Sequence, residues 1–281
     1  MYYLKKRKAT TPALRFQQRA VTKCFSGIEK YDRFTIGSAK HSGKNNIGQM
    51  TVLHRGGGHV FKQTHIDFYN RFNGVATLVC VKKDPIRSAL IGMFINRSGL
   101  IFNRLLSSKA KVGQAISISS KLKKYKLRQG FCLPLICLPK RKLVHGIELF
   151  FGQKSSLIRA AGSKATIIKK FKNGYVLVKL KTGELRFING LCMASLGQVS
   201  NTRHHMRIQG KAGLNKWLNI RPHVRGVAMN PIDHPHGGGQ GKSKGGKPAV
   251  SPYGKQAKGP RTRKTRTKFI AYTRRFRTEK K

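Results

Sequence analysis

Two glycine-rich stretches hold the residues whose types and spacing are best suited to chemistry. The first runs from Gly43 through Lys44, Asn45 and Asn46 to His54-Arg55-Gly56-Gly57-Gly58-His59. The second carries Lys211, then Arg221-Pro222-His223-Val224-Arg225, and ends in Asn230-Pro231-Ile232-Asp233-His234-Pro235-His236-Gly237-Gly238-Gly239. Arginine presents a planar fork that meets phosphate oxygens bidentately, and histidine either stacks on a base or donates to a phosphate. Glycines without a Cβ let backbone amides approach an anion closely and allow positive φ. Pro231 and Pro235 lower the entropic cost of ordering such a loop. The combined pattern is that of an anion-binding surface.

Two other chemistries deserve weighing. His234, with Asp233 or His236 beside it, invites a general-base reading, since proton transfer is the commonest catalytic task of imidazole. Neighbours in an extended loop point in different directions, however, and no other acid lies nearby in sequence. A structural His234 is the better reading. Cys132, Cys137 and His145 invite a zinc site, but an offset of five places the thiols on opposite faces of a strand, and zinc ligands are usually paired more tightly. Buried thiols are favoured, and His204-His205 reads as an RNA contact rather than a ligand pair. The five cysteines, Cys24 included, are odd in number and irregular in spacing, which argues against a secreted disulfide framework.

Charge narrows the choice further. The 281 residues hold 59 Lys or Arg against 8 Asp or Glu, a formal net charge of +51. A compact chain with so few carboxylates repels itself, so a polyanion belongs to the working state. No stretch approaches the roughly 20 apolar residues that span a bilayer, which leaves nucleic acid ahead of a membrane. No acid lies between Asp84 and Glu148, and only Asp233 falls between Glu184 and Glu279. The charge is therefore spread along the chain, as expected for a protein surrounded by RNA.

The elements that must position these residues are short. Residues 1–58 show no sustained periodicity and read as an extended basic arm. Apolar runs at 75–81 and 89–95 are punctuated by Asp84-Pro85 and Arg97-Ser98-Gly99. Asn173-Gly174 separates 166–171 from 175–180, which predicts a tight hairpin with positive φ at both turn positions. Lys181-Thr182-Gly183-Glu184 turns the chain again. Many short strands with close turns predict two small barrels, divided by a basic linker at 121–126. Phe68, Tyr69 and Phe72 read as a mixture of core packing and base stacking. Residues 212–218 predict a short helix anchored by Trp217. Eleven glycines between Gly210 and Gly259 exclude long elements there, and the last 22 residues read as a polyphosphate-binding tail.

Residue by residue, the two glycine-rich stretches resemble the large-subunit ribosomal protein L-two family. Lys8 to Phe16, His65-Ile66-Asp67-Phe68, Asp84-Pro85 with Arg87-Ser88-Ala89, Arg159-Ala160-Ala161-Gly162, Leu196-Gly197-Gln198-Val199 and the stretch from Lys255 to Lys268 extend the resemblance almost end to end. It implies an all-β chain: an OB-fold (oligonucleotide-binding) barrel at 59–125 followed by an SH3-like barrel at 126–200. A basic arm at 1–58 and a Gly/Pro-rich extension at 201–281, both irregular, flank them. It also implies a non-catalytic constituent of the large ribosomal subunit, binding its RNA near the peptidyl transferase region and helping the subunits join. Neighbouring ribosomal proteins and the small subunit are the implied partners, with no homo-oligomer. No cofactor is implied, beyond Mg2+ carried by the RNA. Besides the two stretches, Arg87, Arg159, Lys242, Lys255, Lys258, Arg261, Arg263 and Lys264 are expected RNA contacts. Many members carry Arg at the positions of Lys44, Gln49 and Leu53, Lys at that of Val60, and Glu at that of Gln240, so some N-terminal phosphate contacts are expected elsewhere. Since residues 8–16 resemble the family's own start, little room is expected for a cleavable presequence. That suits an organelle-encoded protein of a mitochondrial ribosome, with a plastid or bacterial ribosome as alternatives.

Overall fold

The computed structural model describes residues 2–22, 34–121, 127–241, 243, 246–259 and 267–273. Lys242, Arg261, Arg263, Lys264, Cys24 and most of the 121–126 linker lie outside the described residues.

Strands begin earlier than the hydropathy pattern indicates. β1 (Tyr2–Lys6) pairs antiparallel with β2 (Gln18–Thr22), and a single helical turn, α1 (Pro12–Arg15), lies between them. Pro12 falls in that first turn, where a missing N–H leaves nothing unsatisfied. β3 (Thr35–Ser38) pairs with β4 (Phe61–Thr64). The strands β1, β2 and β3 thus lie in the stretch that periodicity leaves irregular. Two-stranded ribbons need no continuous apolar face, so alternation gives no sign of them.

The first barrel is built on β5 (Gly74–Lys83), which pairs antiparallel with both β6 (Leu90–Asn96) and β8 (Ala115–Ile118). β6 pairs in turn with β7 (Ile101–Leu105). The second half supplies β9 (Cys132–Pro134), β10 (Leu143–His145), β11 (Ile147–Glu148), β12 (Ser155–Leu157), β13 (Ala165–Lys170), β14 (Tyr175–Lys179), β15 (Leu185–Asn189) and β16 (Met193–Leu196). α2 (Ala212–Trp217) follows, and β17 (Ile270–Tyr272) returns to pair with β15. Except for the small pairs β1–β2, β3–β4 and β11–β12, the strands form one ladder in the order β17-β15-β14-β13-β10-β16-β9-β8-β5-β6-β7. The chain is all-β, in keeping with an OB-fold barrel followed by an SH3-like barrel.

Three hairpins share one solution. Gly99, Gly174 and Gly183 each close a three-residue loop at φ of 80°, 80° and 88°. In each, the residue before the loop bonds the carbonyl after it, as in Phe171 N–H to Tyr175 O at 2.9 Å. The expectation of positive φ at both Asn173 and Gly174 is corrected: only Gly174 is left-handed. A three-residue loop with a left-handed third position needs only one such residue.

Two apolar cores result, and they share strands. Leu78, Leu90, Phe94, Phe102, Ile116 and Ile118 fill the first, whereas Leu135, Val144, Ile167, Val176, Val178 and Ile188 fill the second. Successive side chains of a strand face opposite sides. In β9, Cys132 therefore enters the first core and Leu133 the second; in β16, Met193 and Ala194 divide in the same way.

A buried polar chain also joins the halves. Arg104 in β7 donates to Asn70 Oδ1 at 2.5 Å and to Ser195 Oγ at 3.4 Å. Asn70 Nδ2 donates to Glu148 Oε1 at 3.0 Å, and Glu148 Oε2 accepts the Met193 N–H at 3.1 Å. Burial pushes the Glu148 carboxyl above its ordinary value, opposed by the Met193 and Asn70 donors. Asn70, left-handed at φ 53°, acts as an amide relay between two buried ionisable groups.

Candidate nucleic-acid interface

The chain divides into two compact units. One comprises Met1–Ala39, Val60–Gly210 and Lys268–Lys281; the other comprises Lys40–His59 and Lys211–Thr267. The second unit therefore brings together the two glycine-rich stretches, although more than 150 residues of sequence separate them.

Their junction is built from backbone. Arg55 and Ile220 form an antiparallel bridge, the Gly56 N–H donates to Asn219 O at 2.9 Å, and the Arg221 N–H donates to His54 O at 3.0 Å. His54 sits at φ 61°, and its Nδ1 faces the Pro222 carbonyl at 2.8 Å. A carbonyl only accepts, so Nδ1 carries the proton and Nε2 is left to pair with His223 Nδ1 at 2.7 Å. A Cβ on Gly58 would overlap the Asn219 side-chain amide, so glycine is required there by packing. Asn219, itself left-handed at φ 65°, carries no motif from which its role could be read.

The second stretch folds on itself in the same manner. His234 is the one buried residue among the described residues of this unit, and its ring lies against Gly226, where a Cβ would come within 2.5 Å of the imidazole. The His236 N–H donates to His234 Nδ1 at 3.0 Å, and the Val250 N–H donates to His236 Nε2 at 3.0 Å. The two rings stack at 5.1 Å and 23°, which corrects the expectation that they point in different directions. The intervening Pro235 restores both rings to one side, as alternate residues of an extended segment do. Since a neutral imidazole has one lone pair on nitrogen, the His236 amide occupies the one that a general base at His234 would use.

The role expected of the glycine amides also needs correction. Gly56, Gly237 and Gly238 N–H groups donate within the protein, the last two to His234 O at 2.8 Å and Met229 O at 3.0 Å. A Cβ on Gly237 would lie 2.2 Å from Asn230 O, and one on Gly238 2.6 Å from Pro231 Cγ. These glycines let the loop close on itself; those three amides are not available to a phosphate.

The basic side chains of both stretches are turned outward. Lys44, Arg55, His59, Lys211, Arg221, Arg225, Lys255 and Lys258 are exposed, as are Asn46, Asn230, Gly57 and Gly239. Asn45 has a local task, accepting the Ile47 and Gln49 N–H groups on Oδ1 at 3.0 and 2.9 Å. The expected anchor role of Trp217 is corrected: it ends α2 at 69% exposure with Lys211 Nζ 5.3 Å above its ring. A helix of six residues with none buried has no core to anchor.

Arg87 and Arg159 belong to the other unit. Both guanidinium groups lie over the Phe68 ring, at 5.1 and 5.0 Å, and Arg87 Nε also faces Asp84 Oδ2 at 3.3 Å. The sequence marks the arginines; Phe68 as their common support emerges only from the structure. Cys132 and Cys137 pack against different cores, and His145 is held by the Gly197 carbonyl at 3.2 Å. Burial lowers His145 to about 4, so it is neutral at physiological pH. The described residues contain no group of three or more His, Cys, Asp or Glu that could hold a metal ion, and no helix long and apolar enough to cross a membrane.

Comparison with known proteins gives these features a family. Residues 31–118 match Ribosomal Proteins L2, RNA binding N-terminal domain, and residues 128–254 match Ribosomal Proteins L2, C-terminal domain. The large ribosomal subunit protein uL2 of Acidiphilium cryptum is 43% identical over 230 residues, covering 82% of each chain. That of Azorhizobium caulinodans is 39% identical over 279 residues, 96% of this chain and 98% of its own. The large ribosomal subunit protein uL2m of Reclinomonas americana is 38% identical over 264 residues, 94% of each. This chain, with its two fused barrels and its paired glycine-rich loops, belongs to the L2 family of large-subunit ribosomal proteins.

Proposed function

We propose that this protein, an RNA-binding structural member of the large ribosomal subunit, acts without catalysis as a scaffold whose second unit is seated in ribosomal RNA near the peptidyl transferase region. Arg55, Arg221 and Arg225, with Lys44, Lys211, Lys255 and Lys258, contact phosphates there, while Arg87 and Arg159 hold RNA against the barrels. Neighbouring ribosomal proteins and the small subunit are its partners, and it works as a single copy. The scarcity of acids and the Lys- and Ile-rich composition favour a mitochondrial ribosome. Its likeness to uL2m of Reclinomonas americana is in keeping with that reading.

One observation carries the scaffold reading: His54, His223, His234, His236 and several amides of the loop cluster bond within the protein, yet the arginines on the same loops are exposed. A preformed cluster that turns fixed forks outward suits a phosphate-lined partner. The test is incorporation of Arg221→Ala and Arg225→Ala variants into large subunits, followed by sedimentation. Reduced incorporation is expected; normal incorporation and unchanged sedimentation would overturn the assignment. The compartment is tested by which ribosomal fraction the chain copurifies with.

A further inference from the structure

We propose that the aromatic cluster at one end of the second barrel is a stacking platform for a single unpaired nucleobase of the bound RNA. Phe150 and Phe151 follow β11, Tyr175 begins β14, and Phe269 precedes β17. Phe269 lies 6.2 Å from Tyr175, nearly parallel to it, and 6.4 Å from Phe150, edge-on. Phe150 stays 48% exposed despite its contact and Phe151 is 61% exposed, while Tyr175 is half-buried. Tyr175 and Phe269 cover one face of each other, and the exposed Phe150 and Phe151 rings, which do not close the core, are left with unused stacking faces.

The occupant follows from what surrounds the rings. They line a cavity of about 110 Å³ together with Arg186 and Asn189, and no acid lines it. Arg186 also has a buried Nε without a hydrogen-bond acceptor, and its Nη1 lies 3.8 Å from Glu184 Oε1. A flat ring with acceptors on its edge would suit both the ring faces and the Arg186 guanidinium that helps to line the cavity. Nucleobases have that form, and their recognition commonly joins aromatic stacking to edge hydrogen bonds. Exposed Lys154, Lys172 and Lys268 are neighbours in sequence of the rings and suit the phosphates that accompany a base. A protein partner needs roughly 800 Å² on each side for a stable contact, far more than a single-ring cavity offers.

This inference rests on the RNA-scaffold reading and can fail separately. A photoreactive benzophenone side chain introduced at Phe151, in intact large subunits, is expected to cross-link to RNA. Cross-linking to protein, or to nothing, would overturn the platform. In a second measurement, the full chain carrying Phe150→Leu and Phe151→Leu is tested for binding to large-subunit RNA. Leucine keeps the apolar bulk but removes the stacking face, so about tenfold weaker binding is expected. Wild-type affinity in that variant sinks the platform alone; failure of the wild-type chain to bind the RNA sinks the scaffold reading.

Discussion

The barrel unit and the loop unit are stabilised by different physics. Among the described residues every buried apolar side chain belongs to the unit that contains the barrels, from Ile66 to Val199, and none lies in the loop unit. The loop unit relies instead on backbone hydrogen bonds, close glycine contacts and the paired rings of His54 with His223 and His234 with His236. Such hydrogen bonds contribute only about 1 kcal/mol each, because water competes for the same groups. A fold can therefore hold a detailed geometry without a core, provided that a partner supplies the missing burial.

Substitutions in each unit put that contrast to the test. The largest effect is expected from Leu133→Ala, which opens a cavity in a fully buried strand and should cost about 2–5 kcal/mol in denaturant unfolding of the free chain. A loss below 1 kcal/mol, roughly the scale of a surface change, would show that the barrels too depend on the partner. Next comes pH. His145, neutral when buried, has its folded pKa depressed from 6.5 to about 4. Its contribution is present above pH 6.5 and is lost as the pH falls towards 4, about 3 kcal/mol in all. His145→Gln should flatten that acid limb of the stability curve; an unchanged limb would disprove the cause.

Gly237→Ala should reverse the pattern. Its Cβ would meet the Asn230 carbonyl, so subunit incorporation should fall by an amount equivalent to roughly 1–3 kcal/mol, while the unfolding midpoint of the free chain stays put. A shifted midpoint would mean that the loop cluster shares the barrels' cooperativity. The smallest effect is expected for His223→Ala, within about 0.5 kcal/mol in free-chain unfolding but with faster proteolytic nicking near residues 54 and 223. Unchanged nicking would show that the imidazole pair does not hold the two stretches together.

Much of the barrel architecture was legible because its signals are local. Gly99, Gly174 and Gly183 mark turns that any short-range reading finds, and the runs at 75–81 and 89–95 mark buried strands. The resemblance carried by His54 to His59 and Asn230 to Gly239 identified the family. Non-local facts stayed hidden. Nothing in the 43–59 stretch announces its pairing with Ile220, because the contact is made by backbone and by absent Cβ atoms rather than by an apolar face. The return of Ile270–Tyr272 to β15 was masked by the basic residues around it. Trp217 misled for a physical reason: a large aromatic residue usually seeks burial, but α2 has no core beneath it.

The alternation in β9 and β16 has a consequence for how the chain melts. Removing everything after residue 125 would strip Cys132 and Met193 from the first core, leaving an open wall rather than a smaller domain. Calorimetry should record a single endotherm for both halves, and an excised first half should give none, since two interiors divided by common strands dissolve together or not at all.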